Sequence, residues 1–534
     1  METRDMAEVK TSAKPREAPA EKSQSIWTRR LIIVAFWTVV VCLGLPHWTW
    51  TTSIQRSALP LESMNSWAEG NACQLRYPLH LDLQTPGLDN EQARTLVSGL
   101  QNLLNGQESL RLHDFHVSWA GDESLRNGTS NSALTVVLNT ASTAQAPQAS
   151  LKSCEPILDA RHSIQAPGDV EKAAAFLATE ISHIFQDEST SLWHLVKDTP
   201  YARDMQPAIL SSEKASELDR RTTRAFKYAP KYHLTFSLFT QAATPSVWQI
   251  NEALREYIQP LLSPLSAISD FTIDTQVQLF ASFSPSIDGP VFDSTKNQWT
   301  LHYADLTGFV NAAEWPLNPS IGEGPTINFV LYVPAPDKRP LVIDENGGSS
   351  WIIPQWGGVQ IHNAISADSD TLTLEDLRAD MLVFADQLAA LIGIPQHPPS
   401  LSLRIAALTR ERATAVILSA SSTLGALSRL TLKLQSIAIP DTVAKAVDQT
   451  LLHLDSACSD LRQGRFQSAL ENARTAETEV EKAFFEPSMV GQVYNPEEHK
   501  VAVYVPLLGP MAVPLIMSGL KELKKLRERK QKAA

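Results

Sequence analysis

Two short clusters carry residue types that do chemistry. His113-Asp114-Phe115-His116 sets two imidazoles three apart, and Cys458 lies within five residues of His453, Asp455 and Asp460. Two imidazoles act together only when both rings face one point, and on a strand successive side chains alternate, so this spacing sends them to opposite faces. The second cluster reads as helix. Acidic neighbours there raise a thiol's pKa, the wrong direction for a nucleophile. Carboxylate pairs of the glycosidase kind are assembled by the fold and leave no spacing to read. The chain has no G-x-S-x-G, H-E-x-x-H, G-x-x-x-x-G-K-[ST] or G-x-G-x-x-G, so the short signatures of hydrolases, zinc proteases and nucleotide binders are missing. No catalytic, metal-binding or cofactor-binding residue is expected.

Four cysteines are too few for a disulfide scaffold, and none stands in a C-x-x-C or Cys/His cluster that would hold zinc. Cys42 sits in an apolar run. Cys73, Cys154 and Cys458 allow one bridge, most simply Cys73 to Cys154, and one spare thiol; sequence does not fix the pairing. Asn127-Gly128-Thr129 is the only sequon without a central proline, so Asn127 is the candidate glycan acceptor. The most distinctive stretch runs from Asp344 to Val359, where glycine pairs flank two tryptophans. Trp351, Pro354, Gln355, Trp356, Gly357 and Gly358 suit a partner contact built on aromatic anchors; alternatively both indoles are core and the glycines only turn the chain.

These residues are positioned by elements readable from periodicity. Residues 75–85 alternate as a strand, and Leu96, Leu100, Leu103 and Leu104 keep helical period. Residues 114–119 and 133–139 predict further strands, and 170–185 a helix. A similar order returns with strands at 232–240, 271–282 and 327–334 and helices at 245–262 and 374–392. This predicts two β-α-β-β-α units of the split β-α-β kind. Residues 140–167 and 310–326, rich in small residues or proline, read as surface loops. From Leu401 to Phe485 the pattern is helical, broken at Ile439-Pro440-Asp441.

The two ends differ from everything between. Val501 to Leu520 is uncharged for twenty residues, enough to cross a bilayer core of about 30 Å as one helix. Pro506, Gly509, Pro510 and Pro514 are its packing positions: the prolines recur every fourth residue along one face, and the carbonyls they unpair need protein partners, because lipid supplies none. Arg29 and Arg30 precede a second uncharged run from Leu31 to Trp50, with Trp27, Trp48 and Trp50 at its borders. No small-residue cleavage site follows it, so it reads as an uncleaved anchor. The tails, residues 1–30 and 521–534, together carry +7 while the middle carries -19 of the total -12. Basic tails predict both ends in the cytosol, and the acidic middle argues against nucleic acid as a partner.

The expected organisation is a cytosolic disordered tail (1–30), a transmembrane helix (31–50), a mixed α/β lumenal domain (51–400), a lumenal helical segment (401–500), a second transmembrane helix (501–520) and a cytosolic basic tail (521–534). The fold class is thus a mixed α/β lumenal domain with a C-terminal helical bundle, flanked by two transmembrane helices.

RRLIIVAFWTVVVCLGLPHWTWTT near one end, YHLTFSLF and WIIPQWGGVQIHN between, and HKVAVYVPLLGPMAVPLI before a basic tail resemble the PIG-S family, subunits of the GPI transamidase of the endoplasmic reticulum. The resemblance runs from about residue 27 into the tail. It implies a non-catalytic subunit with two spans and a lumenal domain, in a complex that cuts a C-terminal signal from a precursor and joins the new end to a GPI glycolipid. By the same resemblance the chemistry belongs to the cysteine-protease-like subunit PIG-K, the further partners are PIG-T, PIG-U and the GPAA subunit, and no cofactor is implied. Lys530-Gln531-Lys532-Ala533-Ala534 also fits the K-x-K-x-x pattern of retrieval to that membrane. Two other classes fit the motif-poor sequence: a free-standing enzyme acting on glycans or lipids, and a cargo receptor that exchanges partners.

Overall fold

The structure is a computed structural model that describes residues 22–44, 46–47, 50, 55–119, 132–140, 146–202, 212–281, 289–309, 324–364, 370–434, 437–489 and 498–533. Its chain forms two compact units: residues 59–430 with 445–484, and residues 1–58 with 431–444 and 485–534.

The smaller unit opens with α1 (Ser23–Val39), which runs into a π-wound turn over Val40–Gly44. The larger unit begins with α2 (Leu61–Ala68), β1 (Tyr77–Gln84), α3 (Asn90–Asn105), β2 (His113–Trp119), β3 (Leu134–Thr140), β4 (Gln148–Leu151), β5 (Ile157–His162) and α4 (Pro167–Val196). Its first sheet has the order β2-β1-β3-β5-β4, parallel except for β4. Asp89 caps α3 by accepting from the Gln92 amide at 2.7 Å. Leu96, Leu100 and Leu104 of that helix then reach a core shared with Leu79, Leu81 and Leu83 of β1 and Ala173, Leu177 and Ile181 of α4.

After α5 (Ser212–Arg224) a second sheet repeats the plan. It uses β6 (Lys231–Thr240), a short β7 (Val247–Trp248), α6 over residues 250–265 and β8 (Asp270–Leu279). There follow β9 (Val291–Asp293), β10 (Gln298–Leu301), β11 (Thr326–Val333), β12 (Leu341–Ile343), β13 (Ser350–Ile353), β14 (Gly357–Ile361), β15 (Thr371–Leu372) and α7 (Leu374–Ile392). The order is β13-β14-β11-β6-β8, again parallel except for one outer strand, β13. Strand for strand, β6, β8, β11, β14 and β13 occupy the places of β1, β2, β3, β5 and β4. β9, β10 and β12 form a separate three-stranded sheet.

Both sheets correct the split β-α-β expectation, because β1 lies directly beside β2 and β6 beside β8 with nothing inserted. The loop expected over 140–167 contains β4 and β5, two strands too short for their alternation to stand out between prolines. The loop expected over 310–326 falls mostly outside the described residues.

α8 (Leu401–Lys433), α9 (Asp441–Arg462) and α10 (Phe466–Phe484) complete the larger unit, except that residues 431–433 of α8 and 441–444 of α9 belong to the smaller one. α8 returns to the first sheet through a buried ion pair: Arg410 donates to both oxygens of Glu188 on α4, Nε to Oε1 at 2.5 Å and Nη2 to Oε2 at 2.8 Å. The guanidinium lies 5.0 Å from the Phe466 ring centroid, and Tyr77 of β1 shares a 2.6 Å hydrogen bond with Thr414 of α8. Burial alone would raise the Glu188 carboxyl; Arg410 outweighs it and holds it down to about 2. Cys73 and Cys458 bond the segment before β1 to α9, their Cα atoms 6.1 Å apart and 385 residues apart in sequence. This replaces the Cys73–Cys154 pairing: Cys154 is exposed and free, whereas Cys73 and Cys458 are both buried.

By length and composition, residues 23–44 and α8 are each apolar enough to cross a membrane, but half of the α8 window is buried and that helix holds the Arg410 pair. α8 is therefore a core helix. In the smaller unit, α11 (Glu498–Ala533) carries the uncharged stretch as one helix with all three prolines inside it. Within the same unit Arg56 donates to the carbonyls of Thr431 and Leu434, the latter at 3.1 Å.

A second buried pair supports the second sheet. His362, just past β14, gives Nδ1 to Asp380 of α7 at 2.5 Å and Nε2 to the Ala364 carbonyl at 2.7 Å. Two acceptors require both ring nitrogens to carry protons. Burial would lower the imidazole pKa, but Asp380 and Ala364 outweigh it and hold it above 6.5.

Two outcomes follow for urea unfolding of the full chain in detergent. Arg410→Met leaves the Glu188 carboxylate buried with only His113 beside it and should cost about 3–5 kcal/mol, much of it recovered by adding Glu188→Gln. The His362 contribution is fully present below about 6.5 and should fade as pH rises through its higher folded pKa, because a raised pKa means the folded state holds the proton more tightly. Asp380→Asn should lower stability and flatten that pH dependence.

Candidate partner-binding surface

The structure separates the two chemistry-bearing clusters. His113 is buried with Nε2 3.5 Å from Glu188 Oε1, while His116 is exposed and stacks on His80 at 5.2 Å. Their strand sends them to opposite faces. Cys458 is held in its disulfide, His453 Nδ1 meets Asn472 at 2.9 Å, Asp455 is exposed, and Asp460 receives Ser468 and Asn472 at the start of α10. No nucleophile and base are brought together there. Among the described residues no group of three His, Cys, Asp or Glu could hold a metal ion. Asn127 lies outside the described residues.

The tryptophan-glycine stretch forms the β13–β14 hairpin. Trp351 and Trp356 are half-buried against the core that includes Val359, Ile361 and Leu341, and Pro354 and Gln355 are exposed at the turn. Gly357 and Gly358 are buried for close approach: a Cβ on Gly357 would stand 1.8 Å from the Asn328 carbonyl oxygen, and one on Gly358 would stand 1.9 Å from Gln387 Oε1. Gln387 in turn donates to the Trp351 carbonyl at 3.1 Å and to that of Val359 at 3.3 Å. The glycines thus serve sheet packing, and only the turn between them and the indoles' outer edges face outward.

Two cavities of about 540 and 570 Å³ flank α5, sharing Ser191, Leu218 and Arg221. α5 has no buried residue and is held by ion pairs, Lys214 to Asp187 at 2.8 Å and Arg221 to Glu411 at 2.6 Å. Tyr228 lines the larger cavity, with Arg412 and Arg474 within 5.6 and 5.4 Å of its ring; burial pushes its phenol up to about 12. The sequence reading misses this helix, because its polar composition leaves no apolar period to detect.

The feature least satisfied by the fold is β8. It ends the second sheet, paired with β6 over all ten residues, and not one of the ten is buried. Strands of parallel sheets ordinarily read as buried apolar runs. Among the described residues no strand lies on its outer side. Val277 and Leu279 are exposed, and Phe280, at φ +57°, is 69% exposed. A bulky residue in the left-handed region is a strained arrangement, and here it presents the ring to the outside. On the small sheet's outer strand β9, Val291 and Phe292 are also exposed, Phe292 against Trp299 at 5.3 Å. An uncovered strand edge with apolar side chains pairs with another chain unless blocked. On α11, Pro506, Pro510 and Pro514 are exposed, and a Cβ on Gly509 would meet nothing within 4 Å.

Comparison with known proteins gives a consistent match. The profile of the family described as "PIG-S: Phosphatidylinositol-glycan biosynthesis class S protein" fits residues 35–529. A protein of Schizosaccharomyces pombe named "GPI transamidase component PIG-S homolog" is 29% identical, covering 94% of this chain and 85% of its own length. The proteins named "GPI-anchor transamidase component PIGS" from Bos taurus and Homo sapiens are each 27% identical, covering 91% of this chain and 93% of their own.

Urea unfolding followed by tryptophan fluorescence should separate buried from presented positions. Gly358→Ala should cost about 1–3 kcal/mol by overpacking Gln387. Phe280→Asn, which suits the left-handed backbone and removes no core contact, should change stability by no more than about 0.5 kcal/mol.

Proposed function

The chain belongs to the PIG-S family and is a component of the GPI transamidase, and we propose that within that complex it is a non-catalytic, membrane-anchored brace. The observation that carries this reading is the contrast between its inner and outer residues. Glu188, Arg410, His362 and Asp380 are buried in mutual bonds, and Cys458 is spent in a disulfide, whereas β8 and Phe280 are presented outward. A residue locked in a buried pair is a poor acid, base or nucleophile, since using it exposes its partner's charge.

On this reading residues 31–50 and 501–520 cross the membrane of the endoplasmic reticulum, both termini are cytosolic, and the acidic body is lumenal. Support comes from α1 and the turn after it, where Leu31, Ile32, Val34, Phe36, Val39, Val41 and Leu43 are all exposed. A helix apolar on every side suits lipid rather than water. The exposed proline stripe of α11, with Gly509, then faces neighbouring helices, because only protein or trapped water can pair the carbonyls that prolines free. The partners are PIG-K, which carries out cleavage and transfer, with PIG-T, PIG-U and the GPAA subunit. The β8 edge and the outer edges of Trp351 and Trp356 are the lumenal contact positions, and Asn127 carries a glycan on the same side.

Mild-detergent purification through a tag on this chain should recover companions at constant ratio. The double change Val277→Asp with Phe280→Asp should reduce that recovery several-fold while the unfolding midpoint of the chain stays in place. Equal recovery would remove β8 from the contact surface. Cleavage or transfer of a precursor by the purified lone chain would overturn the non-catalytic assignment, and digestion of the body by protease outside sealed microsomes would overturn the topology.

A further inference from the structure

α1 and α11 meet in the smaller unit at a charged end and diverge into an apolar groove. Glu522 is almost fully buried between two arginines, 2.6 Å from Arg29 Nη2 and 3.1 Å from Arg30 Nε. The groove encloses about 490 Å³, bounded by Ile33, Val34 and Trp37 of α1 and by Ile516, Leu520 and Leu523 of α11. That is within the range of small-molecule sites. Gly519 forms its floor, since a Cβ there would stand 3.5 Å from Trp37 Nε1.

The mouth and the groove ask for different halves of one ligand. Two guanidiniums face one carboxylate, which leaves a net positive charge, and Lys521, Lys524 and Lys525 follow on the same helix. Arginine pairs well with phosphate oxygens, while the rest of the groove offers only hydrocarbon contact. An apolar transmembrane helix of another subunit would fill the groove but bring no anion to the mouth. A free phosphate would answer the mouth and leave the groove uncovered.

We infer that this groove is a binding site for one anionic phospholipid of the cytosolic leaflet, its phosphate on Arg29 and Arg30 and one acyl chain along Ile33, Val34, Trp37 and Leu520. The inference rests on the reading that α1 and α11 cross the membrane with both ends cytosolic. In that orientation the mouth lies at the leaflet richer in anionic lipid, where basic pockets between membrane helices select acidic head groups. The site holds a lipid in the angle between the two spans, so their packing depends on its presence.

The test is native mass spectrometry of the full-length chain, purified with its companion subunits and equilibrated with phosphatidylinositol or phosphatidylcholine. One phosphatidylinositol per chain should survive conditions that strip phosphatidylcholine. Arg29→Gln with Arg30→Gln should lower that retention by roughly tenfold or more, from the loss of two charges near the head group. Leu520→Trp should lower it too, by filling the groove without touching the charges. A photoreactive residue at position 520 should label lipid. Labelling of a polypeptide instead, or equal retention of both lipids, overturns the site. Protease protection of the same chains in sealed microsomes separates the two failures: a protected body without lipid preference removes only the lipid site, and an unprotected body removes the membrane reading beneath it.

Discussion

The buried pair of Glu188 and Arg410 is the constraint on which the larger unit turns. Each ion would be intolerable alone in so dry a place, and each is fully answered by the other in a two-point bond with Phe466 against one side. Because the partners are 222 residues apart, neither half of the unit can complete its core without the other. The Tyr77–Thr414 bond ties β1 to the same helix as Arg410. The disulfide between Cys73 and Cys458 closes a still longer loop nearby in the chain. A crosslink over so long a separation restricts the unfolded chain strongly.

Two sheets of one topology then invite comparison of what each does with its edges. In the first, β2 keeps buried residues at every second position, because α3 covers it through Asn105 and Gln101, which bond the backbone of Phe115 and Val117. In the second, the equivalent strand β8 has no buried residue along its length. The shared plan explains the core, and the difference marks where, among the described residues, the second copy is left open. A parallel sheet loses apolar burial along such a strand, most of all at the end that carries Val277 and Leu279.

How far the sequence reveals this depends on whether a feature is local. The helix Leu374–Ile392 is legible to the residue, because Thr373 and Asp376 form a capping box at one end and Gly393 takes φ +87° at the other. β6 and β11 are legible as apolar runs. β4, β5 and the small sheet are not, since strands of three to six residues carry too little alternation. The glycine pair at 357–358 announces a close approach, but the sequence does not say that the approaching groups are Asn328 and Gln387 rather than a partner. Least legible is the cysteine pairing. Cys73 and Cys154 are nearer in sequence, yet contact is decided by α9 folding back, which no spacing encodes.

Membership of a multi-subunit enzyme and the bare edge of β8 bear on each other. Hydrogen-bonding groups along a strand edge are strong and directional, and an edge flanked by exposed phenylalanine is prone to pair with any extended chain, including its own copies. Natural proteins suppress such edges with lysine, proline or bulges; β8 carries none of these between Asp270 and Leu279 and has only Asp270 and Asp274 as charges. Those two carboxylates cluster in the first half of the strand, and Asp274 is already engaged by His233 at 2.9 Å. Among the described residues the half ending in Val277, Leu279 and Phe280 carries no such defence, which suits a component of a larger assembly.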